Sequence, residues 1–114
     1  MIEDRLPAIG TLRDRVQFQR RDMVAESEGG HSIVFMPIAT IWARVSALSS
    51  RQTQVGDARG VSISHSVVMR YRTDVKPGDR LIHRGIGLTV ISAEDLNGRR
   101  AYLSCACSQT VITG

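Results

Sequence analysis

The stretch VSISHSVVMRYRTDVKPGDRLIHRG, residues 61–85, contains two strand-like pieces on either side of a turn. In the first piece apolar residues alternate with serine and arginine, so an extended chain would present them on opposite faces. The Lys-Pro-Gly-Asp sequence at 76–79 then favours a turn, because proline restricts φ and glycine tolerates turn conformations. A second short piece, RLIHR, follows at 80–84. This stretch therefore predicts β structure.

The same period-two alternation extends in both directions along the chain. It occurs in RVQFQR at 15–20, IATIWARVSAL at 38–48, LTVISAEDL at 88–96 and RAYLSCACSQ at 100–109. Asn97-Gly98 between the last two is a strong hairpin signal. Strands at this spacing predict a mainly β fold, a small antiparallel barrel or sandwich of about six strands, formed by a single domain over residues 1–114.

Two segments interrupt the alternation. Residues 22–37, DMVAESEGGHSIVFMP, contain a Gly-Gly pair and no sustained periodicity, and they are predicted to form a long loop. Residues 49–60, SSRQTQVGDARG, begin with serines suited to helix N-caps and are predicted to form a short helix that ends at a glycine. Both insertions lie between strands, so both are expected to project from the barrel.

Length and composition limit the possible classes of protein. A chain of 114 residues can bury roughly two thirds of its unfolded surface without disulfides or metals. The amino terminus, MIEDRLPAIGTLRDR, has charges where an export signal needs an apolar core, and no apolar run approaches the roughly 20 residues of a membrane span. We expect a protein of the reducing cytoplasm, in which two cysteines need not pair.

The chain is basic, with a formal net charge of +4, fourteen arginines and one lysine. A basic β-barrel could bind nucleic acid through its phosphates. However, the basic residues are dispersed and aromatic residues make up 4% of the chain, whereas single-strand binding uses aromatic platforms in a basic groove. A GC-rich genome would also explain the excess of arginine over lysine. A small nucleic-acid-binding module remains the alternative interpretation.

The residue types that carry catalysis do not form a recognisable set. Cys105 and Cys107 share one strand face, but a zinc site needs about four ligands, so we expect them to be buried structural residues. The three histidines, His31, His65 and His83, are scattered through the sequence. Adjacent carboxylates at 94 and 95 would point to opposite faces of a strand. We predict a protein that is not an enzyme and that has no metal or cofactor.

Taken together, IGTLRDRVQFQR, IATIWARVSALS, HSVVMRYRTDVKPGDRL and LTVISAEDLNGRRAYLSCAC resemble the tailed-phage head-tail joining family, also called head-closure, adaptor or stopper proteins. The resemblance implies a β-barrel subunit, without a cofactor, in a ring in the particle neck. Its implied partners are copies of itself, a portal or adaptor protein above, a tail terminator or tail tube protein below, and packaged double-stranded DNA. Such a ring would retain DNA in the head and dock the tail. The implied location is the neck of a virion or phage-like particle assembled in the host cytoplasm.

The residue pattern itself, considered for a subunit of this kind, suggests roles for three sets of residues. The apolar run of the long loop would bury itself in a subunit or portal interface, or fold back on its own barrel. The polar side chains of the 49–60 insertion would face the DNA channel or a neighbouring subunit. Four arginines of the 70–84 stretch would form a charged outer face and pair with Asp74 and Asp79. In chain order the three sets are Ile33, Val34, Phe35 and Met36; Arg51, Gln52, Gln54, Asp57 and Arg59; and Arg70, Arg72, Arg80 and Arg84.

Overall fold

The computed structural model describes residues 12–48, 54–55 and 62–110. Eight strands occupy most of this part of the chain, and a 3₁₀ turn lies at Leu96–Gly98. The strands are β1 (Asp14–Ala25), β2 (His31–Ala47), β3 (Gln54–Val55), β4 (Ser62–Ile63), β5 (His65–Arg70), β6 (Arg80–His83), β7 (Ile86–Asp95) and β8 (Tyr102–Thr110).

Six of these strands close into an antiparallel barrel in the order β1-β2-β5-β8-β7-β6. The remaining two, β3 and β4, form a separate two-stranded ribbon between β2 and β5. β1 and β6, at the two ends of this order, also pair with each other. The sheet is therefore closed, and the barrel wall has no free strand edge. The predicted mainly β fold with about six barrel strands is confirmed.

The barrel interior is filled by the apolar side chains of the alternating strands. Phe18 and Met69 are the largest side chains in it, and both are fully buried. The alternation predicted for the long second strand is also present, because Ala43 is buried whereas Trp42 is 56% exposed. The other fully or nearly fully buried members of this core are Val16, Val67, Leu81, Leu88, Val90, Leu103, Cys105 and Cys107.

Residues 22–37 are not a loop, and the prediction for them was wrong. They belong to β1 and β2, which continue pairing past the barrel and are joined by a turn at residues 26–30. Gly29 and Gly30 have φ of +91° and +82°, a region that glycine adopts without strain, and Glu26 exchanges backbone hydrogen bonds of 3.1 Å with both of them. The alternation was hidden because both faces of this hairpin are largely exposed, so neither face had to be consistently apolar.

Most of the 49–60 insertion lies outside the described residues. Its described part, Gln54–Val55, is a strand paired with Ser62–Ile63 and not a helix. Arg51, Gln52, Asp57 and Arg59 lie outside the residues that the structure describes. Within the described ranges, no helix is long and apolar enough to cross a membrane.

The antiparallel order defines two ends of the barrel. At one end β1 leaves the barrel and β6 begins, and we call it the arm end. At the other end lie the β3–β4 ribbon and the two-residue turn at Arg84–Gly85 between β6 and β7.

Candidate functional site

The hairpin formed by residues 20–36, which we call the arm, extends beyond the barrel. Its strands pair from Arg20↔Met36 to Ala25↔His31, while β6 pairs with β1 no farther than Gln19. Six paired residues at about 3.3 Å each give an arm of about 20 Å. A two-stranded hairpin of this kind is marginally stable alone, so its base has to be held by the barrel.

The arm exposes large apolar side chains. Met23 and Ile33 are 55% and 52% exposed, and they are direct partners across the two strands. Val24 and Met36 are also exposed. Because exposed apolar groups that lie side by side mark interaction surfaces more than scattered ones do, this cross-strand pair is the leading contact candidate on the arm.

Two of the four apolar residues singled out from the sequence are partly covered by the protein itself. Val34 and Phe35 are half-buried, and the Arg80 guanidinium lies 4.0 Å from the centre of the Phe35 ring. The same guanidinium donates a hydrogen bond of 2.8 Å from Nε to Gln19 Oε1. Phe35 therefore joins the arm to the barrel, whereas Ile33 and Met36 remain open to a partner.

A buried carboxylate fixes the base of the arm. Asp79 is 4% exposed, and its carboxylate accepts hydrogen bonds from the backbone N–H groups of Arg21 at 3.0 Å and Lys76 at 2.9 Å. The backbone of the same turn is bonded to β7, because the Gly78 N–H donates to the Val90 carbonyl and the Val90 N–H donates to the Asp79 carbonyl. Asp79 thus joins β1, the turn and β7 at the arm end.

The predicted pairing of acids with arginines holds for one aspartate and not for the other. Arg72 donates two hydrogen bonds of 2.9 Å to Asp74, and these bonds hold the pKa of the Asp74 carboxyl below its usual value. Asp79 instead binds backbone amides, because the register Gln19↔Arg80 brings the Arg21 N–H to its carboxylate. The proximity of Asp79 to arginines along the sequence was therefore misleading.

The four arginines of the proposed charged face are distributed over both ends of the barrel. Arg70 and Arg80 lie at the arm end, where β5 ends and β6 begins, and Arg72 follows β5 there. Arg84 lies in the turn at the opposite end. The structure brings Arg70 and Arg72 together at a cleft and leaves the other two apart from it.

This cleft lies at the base of the arm, between β2 and the chain that follows β5. β5 pairs with β2 only from Ala43 to Ala47, so the two strands diverge toward the arm end. The resulting cavity has a volume of about 700 Å³. Its lining combines apolar side chains with three arginines: Leu12, Arg13, Thr40, Ile41, Trp42, Met69, Arg70, Tyr71 and Arg72.

Sequence reasoning missed this cleft, although one signal for it was present. Trp42 falls on the polar face of its strand, opposite Ile41 and Ala43, where a large aromatic side chain is unexpected. It is held there by Arg15, whose guanidinium lies 5.3 Å from the centre of the indole. An exposed tryptophan of this kind is typical of contact surfaces.

The two cysteines and His65 have structural environments in the described part of the chain. Cys105 and Cys107 are fully buried and unpaired, and burial raises the pKa of Cys105 to about 12 and raises that of Cys107 as well. Burial, with a contribution from His83, lowers the pKa of His65, whose Nδ1 is 2.8 Å from Ser64 Oγ. Among the residues described, no three His, Cys, Asp or Glu side chains are grouped to hold a metal ion.

The sequence over residues 7–110 matches the family model described as phage head completion protein. Among solved structures, a protein from Shigella flexneri 2a determined in solution superposes with a TM-score of 0.71 at 24% identity, covering 92% of this chain and 98% of that one. A chain from the virion of a native gene transfer agent particle gives a TM-score of 0.62 at 20% identity, covering 89% of this chain and 97% of that one. At these identities the two structures support the fold. None of the curated proteins matches the sequence.

Proposed function

The chain belongs to the phage head completion protein family, with a structural role in a phage or phage-like particle, and from this premise we propose that it is a subunit of the particle neck. In this role, copies of the chain form a ring below the portal or adaptor protein. The ring retains packaged DNA in the head and presents a docking surface to the tail terminator or tail tube protein. Assembly takes place in the host cytoplasm.

The observation that carries this proposal is the family match over residues 7–110, which covers nearly all of the chain. The chain of the gene transfer agent virion supports it, because that chain has the same fold and belongs to a particle. The open cross-strand pair of Met23 and Ile33 also supports a function in an assembly, since about 25 cal/mol is lost for each Å² of apolar surface left in water.

Contacts with packaged DNA in this role are weak and independent of base sequence. Several arginines are engaged within the protein: Arg72 with Asp74, Arg80 with Gln19 and Phe35, and Arg15 with Trp42. A channel has to let DNA pass during ejection, so dispersed positive charge suits it better than a base-reading site. We assign the charged residues of the 49–60 insertion to the channel wall or to a neighbouring subunit.

Deletion of the gene from the particle-producing strain tests the proposal. Electron microscopy of the products is expected to show heads that have lost DNA, together with unattached tails. Expression of the wild-type chain from a plasmid should restore tailed, DNA-filled particles, which excludes an effect on neighbouring genes. DNA-filled, tailed particles in the deletion strain would show that the chain is not a required subunit of the neck and would contradict the proposal.

A measurement of DNA binding separates this function from that of a basic nucleic-acid-binding barrel. The purified chain is titrated with a fluorescent DNA duplex at several salt concentrations. A neck subunit should bind weakly, with little difference between sequences, whereas a dedicated DNA-binding module should bind tightly and lose affinity steeply with salt according to the number of phosphates contacted.

A further inference from the structure

We propose that the arm of each subunit inserts into the cleft at the base of the arm of the next copy, so that arm-in-cleft contacts hold the ring together. This inference rests on the proposed neck function and specifies how neighbouring copies recognise each other. The donor is the outer half of the arm, which carries the Met23–Ile33 pair, and the acceptor is the cleft between β2 and the residues after β5.

The two surfaces are complementary in polarity. On the donor, Met23 and Ile33 lie side by side, and each residue is more than half exposed. On the acceptor, Ile41, Tyr71 and the exposed indole of Trp42 offer apolar surface in a cavity of about 700 Å³. Burial of the pair in this cavity would remove both apolar surfaces from water at once.

The two surfaces are also complementary in charge. Arg20 and Arg21 lie at the base of the arm, and beyond them the arm contains three acids, Asp22, Glu26 and Glu28, and no lysine or arginine, in a chain whose formal net charge is +4. The cleft is lined by three arginines, Arg13, Arg70 and Arg72, and by no acid, and Arg72 is already paired with Asp74, which lies outside the lining. The acidic part of the arm beyond its base therefore meets a basic cleft when two copies dock, and this complementarity favours a second copy over DNA as the occupant.

The length of the arm requires the contact to form between different copies. Ile33 and Trp42 lie on the same extended strand, nine residues apart, so about 30 Å separates them within one chain. An arm of about 20 Å that points away from its own cleft cannot fold back onto it without breaking the β1–β2 pairing. A contact between two different surfaces joins copies head to tail. Repetition of this contact gives a ring when the rotation from each copy to the next brings the last copy back to the first.

Cross-linking between introduced cysteines tests this contact directly. The variant Ile33→Cys/Trp42→Cys replaces the wild-type chain in the particle-producing strain, and purified particles are treated with a short bismaleimide. The native Cys105 and Cys107 do not compete, because both are fully buried and burial raises their thiol pKa values. A ladder of covalent multimers of this chain on a denaturing gel is expected, since the two positions are too far apart to react within one chain.

Two controls establish that the ladder reports the arm and the cleft. Each single variant should give at most a dimer. The variant Ile33→Cys/Glu94→Cys should give no ladder, because Glu94 is also exposed but lies on β7, across the barrel from β2.

A second measurement changes one position only, so its result does not depend on whether the double variant assembles. A photoreactive phenylalanine analogue is placed at Ile33, and mass spectrometry identifies the peptides joined to it in the particle. Peptides containing Trp42 or Arg70–Arg72 of another copy would support the contact. Peptides from a portal or tail protein, or from residues 1–11 of this chain, would overturn it while leaving the neck function intact. Absence of the chain from purified particles would overturn both.

Discussion

Replacement of Asp79 by alanine should destabilise the protein far more than replacement of any exposed acid near it. The substitution removes the carboxylate that accepts hydrogen bonds from the Arg21 and Lys76 backbone amides at 3.0 and 2.9 Å. Each hydrogen bond to a charged group contributes about 1.5–3 kcal/mol, so the two together give about 3–6 kcal/mol. Because Lys76 is exposed, water can replace part of its bond, and we expect a loss of about 3 kcal/mol.

Urea unfolding followed by far-ultraviolet circular dichroism measures this loss, with Asp74→Ala as the matched control. Asp74 lies five residues earlier, but its side chain is 47% exposed and its partner is a surface arginine, so its removal should cost less than about 1 kcal/mol. Asp79→Asn keeps one acceptor and should fall between the two. A loss below about 1 kcal/mol for Asp79→Ala, or an equal loss for Asp74→Ala, would refute the assignment of Asp79 as the anchor of the arm.

Other regions of the structure give further expectations. Phe18→Ala removes the largest side chain at the centre of the barrel and should lower the free energy of unfolding by about 3–5 kcal/mol in the same urea assay. A loss no larger than that of a surface substitution would contradict the fully buried position of Phe18. Ile33→Ser should change stability by less than about 1 kcal/mol yet reduce the yield of tailed particles, whereas Ile86→Ser, at the opposite end of the barrel, should change neither. Cys105 and Cys107 should resist Ellman's reagent at about pH 8 in the folded protein and react fully in guanidinium, and rapid reaction of the folded protein would contradict their burial. Burial raises the pKa of Cys105 from 9.0 to about 12. The buried neutral thiol therefore makes its full contribution to stability below pH 9.0, and this contribution is lost as the pH rises from there through about 12. The free energy of unfolding, measured against pH for the wild type and for Cys105→Ala, should show this loss in the wild type only.

The barrel could be predicted from the sequence because each of its strands buries one face. That requirement imposes alternation on residues such as Val16 and Phe18, or Val67 and Met69, and alternation is visible without knowledge of the partner strand. The arm escaped prediction because neither of its faces is buried in the isolated chain. Its two strands are held by backbone pairing and by the Gly29-Gly30 turn, which leave little trace in the pattern of apolar residues.

The candidate site could be predicted only in part, because it depends on long-range register. The apolar run at Ile33 was visible in the sequence, and its role as an interface stays a prediction. The function of Asp79 depends on a contact with Arg21, 58 residues away, and local sequence suggested an ion pair instead. The cleft exists because β5 stops pairing with β2 at Ala43, and the exposed Trp42 beside that point is the one local signal for it.

The proposed function requires this chain to form a ring in the neck of its particle. An electron cryomicroscopy reconstruction of the neck in purified particles would show that ring. We expect a ring of six-stranded barrels between the portal or adaptor and the tail, with each arm reaching the base of the next. A neck without density for this barrel would contradict the claim, and a ring whose arms contact only portal or tail proteins would retain the neck function and reject the arm-in-cleft contact.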